Sequence, residues 1–430
     1  MASTRPVKDF DFYASRMKEV DWQPILDAGE DWKDPHFPPD TSSIVEPHNS
    51  RKGSWTDLVW RRPRDIYGHG QYKIYEEPGP NDIKQGKCGD CYYLSSLASL
   101  AEYPERIKRI FLTKEVNEAG IYALQFFVNG EKKTVVVDDY FPYSEENEQW
   151  AFSRPSFKSE IWVLILEKAW AKIFGNYERI EAGTAGEAMY PLTGSPHKFF
   201  IHENFIRKDY IWQRIYQADK MKCPMATAVA SMADEDLTNK EVKRAGLVDA
   251  HAYSLIGATI ITDDNMRKVR LVKIRNPWGK KEWQGDWSDK SDKWTPKTKA
   301  QVKLANKNDG TFWISFEDYC EFFYITTICF YSEKYEDTFV TDQHDFKKYG
   351  LVKFTNPKDH MTPLSFSVDQ LNSRFVDGEY DYPGLKLMLT CLKDGKQHFI
   401  EGERDMDTHV SFFMKKLPAG DYMLIYQSEF

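Results

Sequence analysis

The 430-residue chain is 41% hydrophobic, with 13 tryptophans, 24 tyrosines and 27 phenylalanines, which is material for two to four packed domains rather than one ordinary core. A formal net charge of -8 gives no basis for a nucleic-acid partner, and six scattered cysteines exclude a disulfide scaffold of this size. No 18-residue apolar run occurs, so the expectation is a soluble cytosolic protein, with peripheral membrane contact left open.

Residues 1–60 are charged and broken by Pro24, Pro35, Pro38, Pro39 and Pro47, which predicts an extended arm lying on the surface of the rest, with one short helix over Asp11 to Val20. The main core is expected to begin at 61, after Val59-Trp60. Gln85-Gly86-Lys87-Cys88-Gly89-Asp90-Cys91 then reads as a turn, followed by Leu94, Leu97 and Ala98 at helical spacing. Cys91 therefore falls in the first turn of a buried helix, where the N-terminal N–H groups favour thiolate over thiol. A cysteine there also suits simple packing. The spacing of Cys88 and Cys91 would suit a redox or zinc pair, but no second pair lies at ligand spacing. Pro104 to Phe111 predicts a helix, and Tyr122–Phe127 and Lys133–Val137 predict a hairpin closed by Asn129-Gly130. Ile161, Leu164, Ile165, Ala169 and Ile173 give Glu160–Ile173 helical periodicity.

Farther on, Ala250-His251-Ala252-Tyr253-Ser254 opens a strand, Thr262-Asp263-Asp264-Asn265 turns it, and Val272-Lys273-Ile274-Arg275-Asn276 returns. His251 and Asn276 then face each other across adjacent strands. Thr311–Phe316 and Ile325–Phe330 predict two further strands with a helix over Glu317–Phe323 between them. Residues 336–349 read as a charged linker, and Leu351–Phe354, Leu385–Leu389, Val410–Phe413 and Tyr422–Tyr426 as strands of an antiparallel β-sandwich over 350–430. The chain stops at a strand candidate, as a fragment would, and contains no EF-hand loop.

Cysteine, histidine and asparagine in this order match a papain-like triad. Together with Val135-Val136-Val137-Asp138-Asp139, Leu166-Glu167-Lys168-Ala169-Trp170-Ala171-Lys172 and Asn276-Pro277-Trp278-Gly279, they make the chain resemble the calpain family of intracellular, calcium-regulated cysteine proteases over about 61–335. The resemblance implies an α+β fold: a papain-like two-part core with a helical first half (61–193), a β-rich second half (194–335), then the linker and the sandwich. It implies Cys91 as nucleophile, His251 as base, Asn276 as the residue that orients the histidine, and Gln85 as an oxyanion donor. In the family a tryptophan at the place of Trp278 covers the Asn–His pair and wedges between the halves without calcium. Asp82 and Glu167 are implied as calcium ligands in the first half, and Glu282, Asp289 and Asp309 in the second.

Four departures from the family pattern stand out. Tyr92 replaces a tryptophan, Cys88 an apolar residue and Ala250 a glycine, while Thr311 replaces an acidic ligand, so the second calcium site is expected to be weak or absent. The implied function is calcium-dependent limited proteolysis of protein substrates, with membrane or regulatory-protein contact through the last domain. The alternative is a catalytically silent calpain-like scaffold. A transglutaminase would carry aspartate in place of Asn276.

Overall fold

The computed structural model describes residues 15–46, 55, 57–155, 159–202, 208–230, 237–304, 307–334, 336, 338–340, 348–357, 362–375, 381–393, 395–406 and 408–429. The first half of the core is built around the helix Cys91–Ala101, in which every residue after Cys91 is buried. A helix enclosed on all sides belongs at the centre of a domain. Against it pack the helix Trp162–Phe174, also buried throughout, and the neighbouring helix Pro104–Ile110. The strands Ile121–Val128 and Glu131–Asp138 form the expected hairpin, with Asn129 and Gly130 at φ 51° and 79°, the left-handed pair that a two-residue turn requires.

Burying the helix Trp162–Phe174 also buries Lys168 and Lys172, and a buried ammonium needs an opposite charge. Lys168 pairs with Asp138, and Lys172 with Asp34 at 2.6 Å. The Asp34 backbone N–H donates to Asp138 Oδ2 at 2.7 Å, which closes the network. Asp34 and the wholly buried Phe37 belong to the N-terminal arm. The arm thus lies along the first half and sends single side chains into it: Asp34, Phe37, Ser43, Ile44 and Val45 are buried, while Pro35 and residues 40–42 stay exposed. Of the helix expected over Asp11–Val20, residues 11–14 lie outside the described residues, 15–16 are helical and 18–20 are not.

The second half is a six-stranded antiparallel sheet in the order Thr311–Ser315, Lys268–Arg275, His251–Thr262, Met225–Val229, Ile325–Cys329 and His197–Ile201. Ser254 pairs with Arg275, so His251 lies at the start of its strand and Asn276 one residue beyond the end of the next. The helix Ala185–Thr193 leads from one half to the other. Sequence reading missed it because it holds Gly186 and Pro191, both poor helix formers.

The C-terminal region has a four-stranded antiparallel sheet, in the order Gly350–Asn356, Gly420–Glu429, Gly384–Lys393 and Lys396–Asp405. A separate pair, Thr362–Asp369 with His409–Leu417, faces it across a small core that includes Leu385, Leu387, Val410 and Phe412. Lys396–Asp405 and Thr362–Asp369 went unrecognised, the former because its charges hide the alternation. Among the described residues, no helix is long and apolar enough to cross a membrane.

Candidate active site

Cys91 opens its helix behind a turn whose path depends on missing side chains. A Cβ on Gly86 would stand 1.8 Å from the Phe152 carbonyl oxygen, so the chain passes flush against that segment, and Lys87 N–H donates to the Ala151 carbonyl at 2.9 Å. Gly89 is held at both backbone groups: its N–H donates to Glu181 Oε1 at 3.2 Å and its carbonyl accepts from Ala182 N–H at 3.0 Å. Asp90, next in line, does not cap the helix with its side chain. It is buried facing Glu167, and neither of its carboxyl oxygens meets a nitrogen or hydroxyl donor. Glu167 accepts from Ser153 N–H at 2.8 Å and from Ser153 Oγ at 2.8 Å. Burial pushes the Glu167 carboxyl up to about 7, and burial with the facing Glu167 holds Asp90 well above the carboxylate range.

Opposite Cys91 stand the two strands of the second half. His251 Nε2 lies 2.9 Å from Asn276 Oδ1, and both side chains are buried. Asn276 Oδ1 also accepts from Trp278 N–H at 3.0 Å, while its Nδ2 donates to the Lys281 carbonyl at 3.0 Å. These partners fix which end of the amide faces the ring. The Trp278 ring lies 4.6 Å from that of His251, and its Nε1 donates to Gln85 Oε1 at 2.7 Å. Gln85 Nε2 in turn donates to the Cys88 carbonyl at 2.8 Å. An indole N–H only donates and a carbonyl only accepts, so the Gln85 amide has one possible orientation, with one N–H left over. Further bonds join the halves, among them Ser254 Oγ to the Ser95 carbonyl at 2.8 Å, Arg275 Nη2 to the Ile83 carbonyl at 3.0 Å, and Gln85 N–H to the Pro277 carbonyl at 3.2 Å.

Among the described residues no hydrogen bond joins Cys91 Sγ to the His251 ring. Burial pushes the thiol up to about 11, opposed by backbone N–H groups of Ala252, Tyr92 and Cys91 itself. Burial likewise lowers His251 to about 4, against the bond to Asn276.

The sequence profile of the family described as "Calpain family cysteine protease" matches residues 32–330. The chain belongs to the calpain family. It is 32% identical over 324 residues to the calpain-type cysteine protease ADL1 of Oryza sativa subsp. japonica, covering 71% of this chain and 14% of that protein. It is 34% identical over 308 residues to calpain clp-4 of Caenorhabditis elegans, covering 69% and 41%, and 33% identical over 282 residues to human calpain-14, covering 63% and 39%. The match thus spans less than half the length of each of these relatives.

Within this calpain-family chain, the acidic residues named as calcium ligands fall in different settings. Asp82 sits half-buried on the turn Pro80–Asp82, where its Oδ2 accepts from Gly79 N–H at 2.7 Å. Glu167 is not a surface partner for it: the structure places Glu167 in the core, its oxygens taken by Ser153 and Asp90. Glu282, Asp289 and Asp309 bear on one another, and burial with their mutual repulsion raises Glu282 and Asp289. Their oxygens accept from backbone N–H groups of Gly310, Lys307 and Thr311 respectively. Among the described residues no three acidic, histidine or cysteine side chains are grouped to hold a metal ion as they stand. Ala250, where the family has glycine, lies at φ 46°, the left-handed region that suits glycine. Sequence reading did not anticipate the roles of Asp90, Glu181 and Lys281, because each acts through a fold contact with no local pattern.

Proposed function

We propose that the chain is an active cysteine endopeptidase of the cytosol, calcium-dependent, cutting protein substrates through a Cys91–His251–Asn276 triad and a thioester acyl-enzyme. The observation that carries this reading is the His251–Asn276 pair, roofed by Trp278 and tied through it to Gln85 beside Cys91. In the reaction His251 takes the thiol proton as Cys91 Sγ attacks the substrate carbonyl, then gives that proton to the leaving amine. The Cys91 N–H and the remaining Gln85 N–H stabilise the carbonyl oxygen as it gains charge. Water, deprotonated by His251, hydrolyses the thioester and restores the thiol. Asn276 holds the imidazole in one orientation without adding charge.

That no hydrogen bond joins the His251 ring to Cys91 Sγ among the described residues fits an enzyme at rest, in which the ion pair forms only when the two halves shift to bring the ring onto the sulfur. For calcium, the donor set of Asp82 and Glu167 does not fit, because Glu167 is committed inside the core. Glu282, Asp289 and Asp309 supply hard oxygens whose repulsion a divalent ion would relieve, with Thr311 adding no charge. The division into arm, two half-domains, linker and β-sandwich belongs to the same proposal, supported by separate cores in the three larger parts. The silent-scaffold reading draws on the unpaired thiol and imidazole. Incubation of purified protein with an unfolded protein, with and without calcium, separates the two: calcium-stimulated fragments support the enzyme, and no fragments at any calcium concentration support the scaffold.

A further inference from the structure

Arg374 lies in the C-terminal region, on the short turn Ser373–Phe375, yet its guanidinium ends against the first half of the protease core. Nε donates to Glu187 Oε1 at 2.6 Å and Nη2 to Glu187 Oε2 at 3.1 Å, a two-pronged ion pair. Nη1 donates to the carbonyls of Arg179 at 2.5 Å and Glu181 at 3.4 Å, and Nη2 also reaches the Ala182 carbonyl. Arg179 answers by donating Nη1 to the Arg374 carbonyl at 3.1 Å. Residues 179–183 thus form a strap gripped by one side chain from another part of the chain. The fit leaves no slack: a Cβ on Gly183 would lie 2.6 Å from Arg374 Nη2 and 2.8 Å from Tyr92 Cζ.

The same strap holds the nucleophile turn. Glu181 Oε1 and Ala182 N–H take both backbone groups of Gly89, two residues before Cys91. On the other side of Cys91, the Tyr92 hydroxyl donates to the Ile180 carbonyl at 3.1 Å, and the guanidinium lies 5.4 Å over the Tyr92 ring. We propose that Arg374 is a positioning residue for Cys91: by fixing the carbonyls of 179–182 it holds the strap that pins Gly89 and Tyr92 on either side of the nucleophile. Only a guanidinium has enough donors, in a planar fork, to meet a carboxylate and three carbonyls together. The inference rests on the protease reading for its effect on turnover and on geometry alone for its effect on the thiol.

The test uses the full chain and two readouts: kcat and KM on an unfolded protein substrate, and the pH profile of iodoacetamide labelling at Cys91, followed by mass spectrometry of that peptide. Because a small misplacement of a reacting group is costly, Arg374→Gln should lower kcat about tenfold or more with KM little changed. It should also alter the labelling profile, and Arg374→Lys should restore only part of the loss. Lys198→Ala breaks a separate contact of the C-terminal region with the second half, the 2.7 Å pair with Glu403, and should leave both readouts at parental values. A folded Arg374→Gln protein with parental kcat and labelling profile overturns the proposal. If that variant does not fold, Arg374→Lys decides, since an ammonium keeps a charge for Glu187 but cannot meet all three carbonyls: a smaller change in the same direction supports the proposal, and a parental profile overturns it. Should the parent cleave nothing, the protease reading falls, and the labelling profile still decides the positioning role.

Discussion

At the scale of single residues, the chemistry is concentrated in side chains whose partners leave them little choice. Asn276 accepts and donates at fixed partners on both ends of its amide, so Asn276→Ala should free the His251 ring while sparing the nucleophile and the base. A loss of about 10–100-fold in kcat/KM is expected, milder than for Cys91→Ala. Turnover equal to the parent would show that Asn276 does not orient the ring. Ala250 tells the opposite story, a residue held where it does not belong. Its φ of 46° costs an L-residue about 1–2 kcal/mol, against about 0.5–1 kcal/mol of chain entropy for glycine. Ala250→Gly should therefore stabilise the fold by roughly 0.5–1 kcal/mol, read as a higher urea midpoint at unchanged slope; a lower midpoint would contradict the strain. The pairing of His251 with Asn276 at 2.9 Å was legible in the sequence, because the two residues fall at the ends of neighbouring strand candidates. The strain at Ala250 was not, since an alanine looks harmless until its backbone angle is known.

At the scale of elements, charges inside the helix Trp162–Phe174 link stability to pH. The Glu167 carboxyl is raised by burial to about 7 in the folded state from an ordinary value of 4.5, so the folded protein binds more protons than the unfolded one between those values. Its contribution is fully present below about pH 4.5 and is lost as pH rises through about 7. Glu167→Gln keeps an oxygen for Ser153 and an N–H for Asp90, and should flatten this fall between pH 5 and 8 in urea titrations. A parental slope would show that Glu167 does not carry this pH dependence. Lys172 is a different case, because breaking a buried pair strands the remaining charge. Lys172→Met should cost about 3–5 kcal/mol by leaving Asp34 alone in the interior, and adding Asp34→Leu should recover part of it. Unfolding midpoints of the two variants decide. The helix itself was readable from its apolar spacing. Its lysines were not readable as arm anchors, because their acids lie 30 and 138 residues away in sequence.

At the scale of the whole molecule, the two core halves, the arm and the C-terminal region meet through specific hydrogen bonds and through one apolar cluster that takes in Phe37, Ala252 and Phe375. Four of the six strands of the second half were legible as apolar runs, whereas His197–Ile201 and Met225–Val229 went unrecognised, and the antiparallel strands of the C-terminal region were partly legible. How that region reaches the core was not, because nothing in Asn372-Ser373-Arg374-Phe375 marks Arg374 as the partner of a glutamate 187 positions earlier. The cleft places one nucleophile-bearing helix against one histidine-bearing strand, joined by the Gln85–Trp278 bond, and this arrangement is what the protease account depends on. Acid-quenched mass spectrometry of the chain during turnover of a peptide ester, in the presence of calcium, tests it most directly. The account predicts added acyl mass on the Cys91 peptide, absent in Cys91→Ala and formed far more slowly in His251→Ala. Acyl mass on another residue, or the same rate of acylation in His251→Ala, would contradict it.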